Sequence, residues 1–154
     1  MLRYAFVLTI GAAFTLPVTL AAQAATTPRI RACSLLTRET VRQHLPWHAV
    51  LDQFPAEEEP IGAAGSSCNY PSVFIQILPF SQGTLDAFRK SGGEEAISGV
   101  GDVAYFRHNR QGYAELAVKV GSRTLTLQAN VEGNMETVKP ATIRLAKALV
   151  EKLR

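Results

Sequence analysis

An α+β domain is the architecture this sequence predicts: an antiparallel sheet of about four to five strands, helices packed on it, and one disulfide. Three observations predict it. The stretch YAELAVKVGSRTLTLQANV, residues 113–131, alternates apolar and polar residues on both sides of Gly121-Ser122. That dipeptide suits a two-residue type II′ hairpin turn, in which glycine takes the first central position. The last segment, NMETVKPATIRLAKALVEKLR, carries an apolar stripe at helical spacing. The chain has two cysteines, Cys33 and Cys68, and an even pair in a small domain reads as a cross-link when the compartment is oxidising.

In chain order, CSLLTRETVRQHLP predicts a helix over 38–45, with Thr37 as N-cap, Glu39 in the first turn and Pro46 as terminator. Leu36 and Val41 are spaced for a hydrophobic staple. The following WHAVLDQFPAEEEPIGAAGSS is punctuated by prolines, glycines and serines and reads mostly as loop, with a short strand near 48–52. CNYPSVFIQILPF predicts one strand, apolar on both faces and therefore central. SQGTLDAFRKSGG predicts a short helix capped by Thr84 and closed by Gly92.

The hairpin turn fixes a register: Val120 faces Arg123, Val118 faces Leu125, Leu116 faces Leu127 and Ala114 faces Ala129. Opposed residues share a face, so one side is apolar. Lys119 with Thr124, Ala117 with Thr126 and Glu115 with Gln128 make the other side mostly polar. In the terminal helix Pro140 suits a first turn. Ile143, Ala146, Leu149, Val150 and Leu153 form the stripe that covers the hairpin's apolar side, and Lys152 and Arg154 complement the helix dipole.

Residues 1–24 read as a cleaved signal peptide. Arg3 precedes the apolar run YAFVLTIGAAFTLPVTL, and Ala22-Gln23-Ala24 supplies the small residues of a cleavage site. Gly11 and Pro17 interrupt the run, which disfavours an anchor spanning the bilayer. Residues 25–154 then form a single domain. Sixteen Lys and Arg stand against thirteen Asp and Glu. With no basic cluster behind that balance, there is no call for nucleic acid or an anionic membrane surface as partner. In an exported chain the cysteines pair as a disulfide closing a loop of about 35 residues, a cross-link that contributes about 3–4 kcal/mol in the chain-entropy model. A redox or metal pair is the competing reading, but Cys-x-x-Cys is absent and the spacing fits no common zinc pattern.

Gly99-Val100-Gly101-Asp102 invites a phosphate-loop reading. A dinucleotide loop needs a third glycine and a following helix, whereas VAYFRH after it is a strand pattern. Gly99, Gly101 and Asp102 therefore read as a structural turn, the glycines supplying positive φ and the aspartate accepting backbone hydrogen bonds. His44 and His48 are four apart, with Glu57, Glu58 and Glu59 nearby, but Pro46 breaks the helix that would align the imidazoles. No metal or cofactor is assigned.

The serines of GAAGSSC do not fit a nucleophile elbow. Nothing in the sequence brings Asp102 and Glu115 together as an acid pair, and no catalytic residue is assigned. Trp47, Tyr70, Tyr105, Phe106 and Tyr113 are candidates for a pocket lining, though packing accounts for most aromatics.

CSLLTRETVRQHL, CNY opening a strand, and GVGDVAYF together resemble the small exported domain of unknown function found in actinobacterial cell-envelope lipoproteins, over about residues 32–153. The resemblance implies an α+β fold, a Cys33–Cys68 disulfide and no established activity. The chain departs from that family in lacking a lipobox. The expectation is an exported, periplasmic or secreted, non-enzymatic domain, a monomer, binding an envelope protein or a small ligand. The alternative is an inhibitor of a secreted hydrolase that inserts the loop 53–67 or the turn 98–102. A small hydrolase is the third reading.

Overall fold

The structure, a computed structural model, describes residues 29–45, 55–93, 95–109, 111–130 and 134–154. Residues 1–24, read from the sequence as a signal peptide, the strand expected near 48–52, Pro46, Trp47 and His48 lie outside the described residues.

Eleven elements follow in order: α1 (Ala32–Leu35), α2 (Arg38–His44), β1 (Glu57–Ile61), β2 (Gly65–Tyr70), β3 (Val73–Pro79), α3 (Gln82–Lys90), β4 (Glu95–Ala96), β5 (Val103–His108), β6 (Tyr113–Val120), β7 (Arg123–Asn130) and α4 (Met135–Leu153). The strands form one antiparallel sheet of seven, ordered β1-β2-β3-β7-β6-β5-β4. Two meanders, β1–β3 and β4–β7, are thus joined at the centre by β3 against β7. Helices α1, α2 and α4 contribute to the large core on one face, and Leu85 and Phe88 of α3 pack with Ala117 in a smaller cluster. The Cys33–Cys68 disulfide links α1 to β2, with Cα atoms 4.9 Å apart.

The sheet is larger than the four to five strands the sequence predicts, and the excess has a physical cause. EEEPIGAAGSS has weak strand propensity, yet it forms the β1–β2 edge hairpin because tertiary contacts hold it. Residues 29–32 run beside it. Ser66 Oγ donates to the Ile30 carbonyl at 2.5 Å and accepts from the Ala32 N–H at 3.0 Å. Arg29 reaches the Gly62 carbonyl at 2.6 Å, and Arg31 pairs with Glu58 at 3.0 Å. The disulfide pins the next turn of pairing. Glutamates and Pro60 on the outermost strand also discourage a further chain from adding there.

The CNYPSVFIQILPF segment is two strands rather than one. Pro71 and Ser72 make the turn between β2 and β3, and the Asn130 N–H donates to the Ser72 carbonyl at 2.8 Å. The two-residue β4 completes the count at the other edge.

The β6–β7 register is the one the turn dictates, from Val120 opposite Arg123 to Ala114 opposite Ala129. Gly121 has φ 55°, and no non-glycine residue among those described has positive φ, as a type II′ turn requires. Helix α4 begins earlier than Pro140 suggests. Asn134 caps it, its side chain accepting from the Glu136 N–H, and Pro140 sits inside the helix on its exposed side. The buried face holds Ala146, Leu149 and Val150 of the expected stripe and extends it with Val138, Ala141, Thr142 and Leu145, while Ile143 and Leu153 lie at its margins. Helix α3 likewise starts before Thr84, with Ser81 at the cap position. Lys152, instead of merely complementing the dipole, donates to the Leu35 carbonyl at 3.1 Å and to Thr40 Oγ1 at 2.9 Å, tying α4 to α1 and α2.

Candidate functional site

Strand alternation sends Phe74, Gln76 and Leu78 of β3, Thr124, Thr126 and Gln128 of β7, and Glu115, Ala117 and Lys119 of β6 to the face opposite α4. The pairing registers align one row across six strands: Glu57, Asn69, Phe74, Gln128, Glu115 and Arg107. Among the described residues, helix α3 lies over the β5–β6 end of this face. At the other end the row opens into a cavity of about 240 Å³ lined by Asn69, Ser72, Phe74, Tyr113 and Gln128, among others.

Glu115 stands in the row between Gln128 and Arg107 and is 2% exposed. Burying a carboxylate is costly unless it is paired and hydrogen-bonded, and here it is both. The Arg107 guanidinium donates to Oε2, while the side-chain amides of Asn109 and Gln128 donate to Oε1, the latter at 3.0 Å. Arg107 is itself fixed: it donates to Ser91 and lies over the Phe88 ring of α3 at 4.5 Å. Asn109 is held by its own turn, its Oδ1 accepting from the Gln111 and Tyr113 N–H groups at 3.0 Å each.

A carboxylate beside a guanidinium only accepts, so the amide arm that Gln128 turns toward it must be NH₂. The network therefore sets the orientation of one amide at the cavity wall.

The sequence candidates distribute as follows. Gly99 and Gly101 have φ 71° and 59°. A Cβ on Gly101 would stand 2.5 Å from the Lys119 carbonyl oxygen, so backbone approach as well as φ demands glycine. The Asp102 N–H donates to that same Lys119 carbonyl, and its carboxylate accepts from the Gly121 N–H at 2.8 Å. The aspartate thus anchors the β6–β7 turn as well as its own.

Asp102 and Glu115 are not brought together. Asp102 sits beside Lys119, four residues from Glu115 on β6, which is roughly 14 Å of strand. His44, near the end of α2, faces Arg144 and Lys152; partial burial, then those two cations, lower its pKa below the ordinary value. Among the described residues no three His, Cys, Asp or Glu side chains gather as a metal site. Tyr70 and Tyr113 meet at the cavity, whereas Tyr105 packs beside the α3 cluster and Phe106 belongs to the large core.

Sequence reasoning missed Arg107, Asn109 and Gln128 as a group around Glu115. The signal was present: Glu115 is the one acid inside the apolar run of β6, and the hairpin register already set it opposite Gln128. Compared with known proteins, the chain matches no family model, no curated protein and no solved structure.

Proposed function

We propose that this chain is an exported, non-enzymatic binding domain working at the cell envelope, and that the cavity over Phe74 and Gln128 is its ligand seat. The observation that carries this reading is the buried Glu115 cluster, in which a carboxylate, a guanidinium and the Asn109 amide hold the Gln128 side chain at a cavity wall. Fixing the groups around a ligand before it arrives lowers the ordering cost of binding. Glu115 is engaged by all three donors, which suits a structural acceptor better than a general base.

Export is supported by the signal pattern of residues 1–24 and by the disulfide, a bond that persists in oxidising compartments. Among the described residues no helix is long and apolar enough to cross a membrane. The inhibitor reading loses support where residues 57–61 and 65–67 are paired into the sheet rather than projecting as a loop.

Two measurements test the proposal. The intact mass of the protein recovered from outside the cytoplasm should correspond to residues 25–154 with no free thiol; a chain retaining residues 1–24, or carrying two thiols, removes the export claim. Immobilised oxidised protein should capture from an envelope extract material that Tyr113→Ala and Phe74→Ala variants of unchanged fold do not. Identical capture by all three proteins would overturn the assignment of the seat.

A further inference from the structure

The geometry points to the chemical class of the ligand: the cavity takes one ring of an uncharged saccharide, belonging to a glycan that extends over the part of the sheet face left uncovered among the described residues. This rests on the reading of the cavity as a ligand seat.

Charge is the first argument. No side chain lining the cavity carries a formal charge; of the carboxylates beside it, Glu115 is closed off by its three donors, and Glu57, opposite Asn69 on the edge strand, is exposed to solvent. A phosphate or a carboxylate would enter without a counter-charge, and an ammonium group would find only the solvated Glu57 at the neighbouring edge; desolvating an ion so poorly paired is costly. The ligand is therefore neutral.

Donor and acceptor chemistry is the second. Asn69, Ser72 and Gln128 offer amides and a hydroxyl, and Tyr113 adds a phenolic hydroxyl, so each can both give and accept hydrogen bonds or complements a neighbour that does. Phe74 and Tyr113 add flat apolar rings. A pyranose is the complement of that set, with hydroxyls around its rim and C–H groups on its faces. A lipid chain would leave the amides unpaired. An extended peptide would seek a strand edge, and Asn69, Phe74 and Gln128 stand on strands paired on both sides.

Size is the third. About 240 Å³ is below the ~300–1,000 Å³ of pockets that enclose a whole drug-sized ligand. One ring fits, with the rest of the chain outside. The adjoining row offers it a continuation of the same neutral character, since Gln76 and Thr126 are paired neighbours and half-buried on this face.

The test is a titration of isotopically labelled oxidised protein, residues 25–154, with chitotetraose and cellotetraose as neutral probes, followed by amide and side-chain NMR shifts. An uncharged decapeptide and phosphatidylglycerol vesicles are run beside them. Saturable shifts from a tetrasaccharide at the Asn69 and Gln128 side-chain amides and at Phe74 and Tyr113 are the expected result. Tyr113→Ala and Gln128→Ala should then weaken that binding by about tenfold or more. Should Gln128→Ala fail to fold, Phe74→Leu takes its place, with the same loss expected. No shift at these groups with either sugar at low-millimolar concentration overturns the saccharide inference. Shifts there from the peptide or the vesicles alone overturn it too, while leaving the cavity as a ligand seat. Silence at these groups with every probe overturns both.

Discussion

Strand β7 shows two kinds of construction within eight residues. Leu125, Leu127 and Ala129 point toward α4 and are fully buried among aliphatic side chains. Thr124, Thr126 and Gln128, on the alternate positions, point to the opposite face, where among the described residues one helix covers part of the sheet and Gln128 bonds Glu115. The first face gains its stability from area removed from water, which is non-directional. The second depends on a few directed bonds around Glu115, each of which needs its partner in place. One face can absorb a change of shape at a graded cost. The other holds particular atoms in particular directions, which is what recognition requires.

Mutations should separate the two faces by size and kind of effect. The largest is expected from Leu127→Ala, which empties a 0%-exposed site and should cost about 3–5 kcal/mol in denaturant unfolding, with the side-chain amide resonances of the second face little moved. Glu115→Gln comes next. It leaves Arg107 without its carboxylate, and because that guanidinium is 21% exposed the loss should be about 2 kcal/mol, below that for a fully buried pair. Its distinguishing mark is a shift of the Gln128 amide resonance, and an unmoved resonance would contradict the orienting role of the cluster.

Thr124→Val should change the sign. Thr124 is 1% exposed, and its hydroxyl is the buried side-chain group without a partner among the described residues. Replacing that hydroxyl by a methyl removes an unsatisfied group at constant shape, so stability should rise by about 1 kcal/mol; a loss would mean that the hydroxyl has a bridging water.

The smallest effect concerns pH. His44 has a folded-state pKa below its unfolded value, so its neutral form is favoured in the fold. The associated stability is present above the unfolded pKa of about 6.5 and is lost as pH falls toward the lower folded value. Melting curves between pH 7 and 5 should show a slight decline that His44→Gln flattens.

The same contrast explains what was legible in the sequence. The β6–β7 hairpin could be read to the exact pair because its turn type and its alternation are both local and agree. The α2 cap at Thr37 was equally local, and its side chain accepts from the Thr40 N–H. The edge hairpin could not be read. Its strands owe their form to Arg29, Arg31 and Cys33, which approach from 27 to 35 residues away, and Glu, Pro, Gly and Ser carry no pattern that announces such help. Helix α4 was recognised but entered late, because Pro140 imitates a start signal while Asn134 supplies the real one. For the site, Glu115 and Gln128 were already opposite each other on paper. Arg107 and Asn109 join them only once β5 is laid beside β6, a pairing that no turn motif at 109–112 dictated in advance.

The bond from Lys152 to the Leu35 carbonyl spans 117 residues. It sets a late date in the life of the chain. A nascent polypeptide can close the β6–β7 hairpin as soon as both strands exist, but the region around Leu35 has no native lysine to meet until Lys152 has been synthesised. Contacts of such high sequence separation are formed at the cost of closing very long loops, and they slow folding. The β6–β7 hairpin, which reads most clearly in the sequence, is thus able to form before the helical clasp of α4 on α1 and α2.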